Sequence, residues 1–143
     1  MMRKTLYLTL LLFSFAINGM AQRFHGFDYE RFKTDMINYI ANEAGLTAAQ
    51  TQQFKPVCEA MLAQKRALFK KVNDANRSTY TTNEDFKNAI QKVDRWELEM
   101  KTLEKTYHDN LLRILPAQKV FLIIKAEGKY HKQVFRRAAG RRR

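Results

Sequence analysis

The stretch Glu84–Leu115, EDFKNAIQKVDRWELEMKTLEKTYHDNLLRIL, decides the fold class. Phe86, Ile90, Val93, Trp96, Met100, Leu103, Tyr107, Leu111 and Ile114 follow one another at steps of three or four. That spacing marks an amphipathic helix of about eight turns. The opposite face mixes Lys92, Arg95, Glu97, Glu99, Lys101, Glu104 and Lys105, as a water-facing side should. A helix this long with one apolar stripe must pack along its length against another.

The partner stripe lies upstream. Phe54, Cys58, Met61, Lys65, Leu68 and Val72 alternate by four and three, and Val57, Leu62 and Phe69 widen the band. Lys65 is the one charged interruption. Pro56 falls inside the pattern and is expected to kink the helix or loosen its first turns. Between the two stripes, Asn73–Asn83 is rich in Asn, Ser and Thr and reads as the one real loop. A shorter helix is expected after the capping residue Asp28, with Phe32, Met36, Ile37, Ile40 and Ala44 on one face and Gly45 ending it. A fourth helix is expected from Pro116 as its first residue, carrying Val120, Phe121, Ile123, Ile124, Tyr130, Val134 and Phe135, with Gly128 as a weak point. The expected fold is all-α, four helices in two pairs.

The two ends of the chain carry different information. Arg3 and Lys4, the apolar run Leu6–Ile17 and the small-residue site Gly19-Met20-Ala21 follow the three-part pattern of a secretory signal peptide. The run is 12 residues long, whereas a membrane span needs about 20. Export into the periplasm, with cleavage near Ala21, is therefore expected. The net charge of +12 would otherwise point to nucleic acid, a ligand that an exported protein rarely meets. Without residues 1–21 the charge is +10, of which +8 falls between Lys119 and Arg143. Lys129, Lys132, Arg136, Arg137, Arg141, Arg142 and Arg143 are the candidate residues for an anionic partner such as a membrane surface or a glycan. The expected layout is a signal peptide over 1–21, a helical domain over 22–137 and a basic tail over 138–143.

Two short motifs open the second and fourth helices. Thr47 with Gln50 three residues on is a capping box, preceded by Leu46. Leu115, Pro116 and Lys119 form a degenerate second copy, with Pro in place of Thr and Lys in place of Gln. Residues 46–50 resemble the motif that names the LTxxQ group of bacterial envelope proteins, the Spy/CpxP-like family. The order of helices, the size and the export signal agree over roughly residues 28–137. The resemblance implies an elongated, curved cradle of four helices, paired as an antiparallel homodimer. It also implies a periplasmic role: an ATP-independent chaperone for unfolded or partly folded envelope proteins, or a sensor subunit acting on a membrane-bound stress-signalling protein.

The residues themselves point away from catalysis. Cys58 sits among apolar neighbours that keep a thiol neutral, and the sequence has no Gly-rich phosphate loop. No cofactor is expected. A metal site would need several His, Cys or carboxylate ligands together. His108 and His131 are the nearest to such a pair, and the ordinary reading is two surface histidines. A single Cys excludes a disulfide framework. What remains is amphipathic surface beyond the needs of one closed core, set beside Lys and Arg, which suits weak binding of other polypeptides.

Overall fold

Helix start signals written into the chain set the architecture. The structure, a computed structural model, describes residues 28–140. The expected signal peptide 1–21, the lead-in 22–27 and the arginines 141–143 lie outside the described residues. Four helices follow one another, with no strand among the described residues: α1 (Tyr29–Glu43), α2 (Ala48–Arg77), α3 (Asn83–Ile114) and α4 (Ala117–Gly140). The chain is all-α.

Each start has a visible cause. The Asp28 side chain accepts from Arg31 N at 3.1 Å and opens α1. At α2 the Thr47 hydroxyl accepts from Gln50 N at 3.1 Å, while Gln50 Oε1 accepts from Thr47 N at 3.0 Å. Two helix-terminal donors are satisfied reciprocally. The same box opens α3, where Thr82 and Asp85 exchange bonds of 3.1 Å each. At α4 Pro116 has no side-chain acceptor, and its carbonyl takes both Lys119 N at 2.9 Å and Val120 N at 3.1 Å. Gly45, with φ of 62°, supplies the left-handed residue that ends α1.

Three boundaries differ from the sequence expectation. The loop read over Asn73–Asn83 shrinks to residues 78–82, because α2 continues to Arg77. Lys70 pairs with Asp74 at 2.7 Å within the helix, and Ser78 Oγ donates to Asp74 O at 2.7 Å where the helix stops. These local bonds hold residues whose composition favours turns. Pro116 stands one residue before α4, not inside it, because its carbonyl accepts the helix's first bonds. The boundary drawn at residue 137 falls inside α4, whose helix continues through Ala138 and Ala139 to Gly140. α2 is assigned as one helix through Pro56.

The chain divides into two compact units. In the first, formed among the described residues by 28–44 and 122–140, α1 packs antiparallel to the larger part of α4. Lys129 Nζ meets Glu43 Oε2 at 2.8 Å, and Gln133 Nε2 donates to Tyr39 Oη at 3.1 Å. The Tyr130 ring contacts those of Phe32 and Tyr39, with centroids 5.9 and 5.3 Å apart. Met36, Ile37, Ile40, Ile123 and Ala126 are buried. Burying a large aliphatic side chain stabilises by about 1.5–3 kcal/mol, so this short helix is held by packing more than by propensity.

The second unit, Gly45–Phe121, is built on the antiparallel hairpin of α2 and α3. Phe54, Cys58, Met61, Leu68 and Val72 are buried on α2, and Met100, Tyr107 and Leu111 on α3. Lys65 reaches Glu104 Oε1 at 3.1 Å. At the hairpin turn the Tyr80 hydroxyl donates to Ala75 O at 2.6 Å, and its ring lies 5.5 Å from that of Phe86.

Candidate functional site

The apolar stripe of α3 is longer than its buried seam. Phe86 and Ile90 remain 49% and 62% exposed, although both belong to the sequence stripe. The reason is angular drift. At about 100° per residue, each four-residue step gains about 40° on the helix and each three-residue step loses about 60°. Phe86 therefore lies about 60° around α3 from Tyr107, and Ile90 about 100°. Both turn away from the seam onto one flank of the helix. Leu112, also exposed, falls on that flank, and Leu98, 70% exposed, stands further out.

The other flank of α3 faces a groove. Pro56, Val57, Ala60, Met61 and Gln64 of α2 line it against Leu103, Thr106, Tyr107, Asn110, Arg113 and Ile114 of α3. It is an open depression of about 470 Å³. Its lining is largely apolar, and Arg113 and Asn110 stand within it, their side chains 3.4 Å apart. Ala60 adds little side-chain bulk to α2 on this side.

Charge on this unit is matched locally. Lys55 pairs with Glu59, Lys70 with Asp74, Lys87 with Glu84 and Lys105 with Asp109. Glu104 accepts from Lys65 and, through its other oxygen, from Lys101 at 3.1 Å. Burial pushes the Glu104 carboxyl up, but the two lysines outweigh it and hold the group below its ordinary value. Burial lowers His108, with the Glu104 carboxylate opposing that shift. Glu97 is raised by burial and by the neighbouring Asp94.

The residues singled out from the sequence fall into separate places. Leu46, Thr47 and Gln50 stand at the start of α2, where they do capping work. Leu115, Pro116 and Lys119 occupy the matching positions at α4. Lys119 does not copy Gln50: its Nζ donates to Gly45 O at 2.7 Å. Lys129, Lys132, Arg136 and Arg137 are exposed on α4, while Arg141, Arg142 and Arg143 lie outside the described residues. His108 belongs to one compact unit and His131 to the other. Among the described residues no group of three or more His, Cys, Asp or Glu is placed to hold a metal ion. Cys58 is fully buried. Among the described residues no helix is long and apolar enough to cross a membrane.

Sequence reasoning missed two features. The Lys119 tie to Gly45 joins residues 74 apart and has no sequence signal. The Thr82–Asp85 box was legible as Thr-x-x-Asp, but its residues lay in a stretch dominated by turn formers. Fold and surface together define an all-helical chain with an open apolar flank and an apolar groove. Comparison with protein-family models, with curated proteins and with solved structures gives no match to this chain.

Proposed function

We propose that this chain is an exported, non-enzymatic polypeptide-binding protein of the Spy/CpxP-like kind, acting as an ATP-independent chaperone in the bacterial envelope. The observation that carries the reading is the uncovered apolar flank of α3, Phe86, Ile90, Leu98 and Leu112, on a helix where Lys87 pairs with Glu84 and Lys105 with Asp109. Covering the exposed part of each such side chain contributes about 1 kcal/mol. Against the cost of association, a few such contacts give weak and reversible capture. That strength suits a chaperone, which must release its client without ATP. The capping motif at Leu46, Thr47 and Gln50 and the signal-like residues 1–21 support the family and the compartment. On this reading two copies pair antiparallel into a curved cradle.

The test is aggregation of an unfolding client protein, followed by light scattering, with stoichiometric amounts of this chain and no nucleotide. Suppression is expected, and it should fail when Phe86 and Ile90 are both replaced by Ser. Undiminished aggregation with the parent chain would remove the proposal. Crosslinking in the envelope should capture a spread of clients; one dominant membrane-bound signalling protein would replace the chaperone role by a regulatory one.

A further inference from the structure

The outer side of α4 carries two parallel rows in the stretch after Leu122. Ile124, Gly128, Phe135 and Ala139 form an apolar row, all exposed, with Phe135 at 47%. Beside it Lys125, Lys129, Lys132 and Arg136 recur at steps of four, three and four, and all four are exposed. The cationic row spans about 16 Å of helix. The packed side carries Ile123 and Ala126, both buried, and Tyr130 and Val134, half-buried. Glu127, the one acid between Lys119 and Gly140, is half-buried and falls about 100° or more around the helix from every member of the row.

On α4 itself, Lys132 and Arg136 have no carboxylate one turn away, unlike Lys55, Lys70 and Lys105 of α2 and α3. Lys129 meets Glu43, but Lys132 and Arg136 make no ion pair among the described residues. Arg136 and Arg137 near the helix C-terminus complement its dipole. That accounts for the last turn and not for Lys125 or Lys132, two or more turns earlier.

We propose that this face of α4 is a docking surface for an anionic phospholipid bilayer. Charge complementarity selects an anionic partner. The geometry selects among anionic partners: the centres of the two rows sit about 80° apart around one helix, so both can meet a single plane. A bilayer offers a plane of phosphates over an apolar layer, and a helix lying in it places cations among head groups and Phe135 and Ile124 at the acyl boundary. An acidic polypeptide would engage the cations and leave the apolar row uncovered. The surface is separate from the α3 flank, so the two proposals stand or fall independently.

Vesicle flotation tests it, using phosphatidylcholine vesicles with and without phosphatidylglycerol. The chain should float with phosphatidylglycerol in excess of its binding to phosphatidylcholine alone. Lys132→Gln with Arg136→Gln should weaken partitioning about 25-fold at low salt, from about fivefold per cation. Phe135→Ser should weaken it about fivefold through lost apolar contact. All three positions are exposed, so helicity by circular dichroism should match the parent. Parent and variants are the processed chain from Gln22, with residues 22–27 and 141–143 kept, so a difference reports on α4. Equal flotation of parent and variants overturns the proposal. Binding of polyglutamate without binding to the anionic vesicles also overturns it, and assigns the face to acidic polypeptides.

Discussion

Replacing Lys65 by Met tests how the α2–α3 seam tolerates a charge. Lys65 Nζ lies 3.1 Å from Glu104 Oε1, and the two side chains are 20% and 32% exposed. An exposed pair contributes about 0–1 kcal/mol, and breaking a fully buried one costs about 3–5 kcal/mol. This pair lies between those limits. Lys101 still holds the other oxygen of Glu104, at 3.1 Å, so the abandoned carboxylate is partly compensated. The expected cost of Lys65→Met is therefore about 1–2 kcal/mol. Replacing both partners, Lys65→Met with Glu104→Leu, leaves no orphan charge and should return stability to within about 0.5 kcal/mol of the parent. The pH dependence has a fixed sign. Glu104 is held below its ordinary value, so its contribution is present above the unfolded-state value and is lost as pH falls through the folded-state value. The cost of Lys65→Met should thus be full at neutral pH and shrink in acid, as pH falls through the folded-state value of Glu104 and the carboxyl takes up its proton. Urea unfolding followed by circular dichroism at the two pH values reads both effects. An equal cost at both pH values, or a double variant as unstable as the single one, would refute the argument.

Thr47→Ala removes the 3.1 Å bond from Gln50 N and should cost about 1 kcal/mol, read as a lowered urea midpoint. Two glycines should respond in opposite directions. Gly45→Ala forces a Cβ onto a φ of 62° and should destabilise by about 1 kcal/mol. Gly128→Ala meets nothing within 4 Å in a helix interior and should stabilise by about 0.5–1 kcal/mol, seen as a raised melting temperature. Phe86→Ser with Ile90→Ser should lower suppression of client aggregation while costing about 1 kcal/mol of stability through the lost Tyr80–Phe86 ring contact, with helicity by circular dichroism retained.

Helix number, order and most starts were legible because they rest on local chemistry. Asp28 and Thr47 announce their helices through hydrogen bonds that span three residues, and such bonds are visible in a sequence. The α2 stripe, Phe54 to Val72, was read correctly for the same reason, since its steps alternate and the drift cancels. The α3 stripe keeps one spacing from Phe86 to Ile114, yet its first turns are not buried. Phe86 and Ile90 obey the local spacing, but a stripe wanders around a helix while its partner helix does not. Only the tertiary seam shows where covering stops. The end of α2 was misplaced because Asn73, Asp74 and Asn76 favour turns by composition, while the Lys70–Asp74 pair holds the helix together.

The two motif copies show how one position can change its task without changing its place. Gln50 and Lys119 both stand three residues after the residue whose carbonyl opens the helix. Gln50 uses that place locally and returns its oxygen to Thr47 N. Pro116 has no N–H to donate such a bond, so a Gln at position 119 would have no partner to cap. Lys119 instead sends its Nζ to Gly45 O, the residue that ends α1 and precedes the first motif. A carbonyl just past a helix C-terminus carries partial negative charge, and an ammonium is the fitting donor there. The departure from the Thr-x-x-Gln pattern is thus two coupled changes. Loss of the backbone donor at 116 frees position 119, and a longer, charged side chain uses that freedom to tie the second motif to the first.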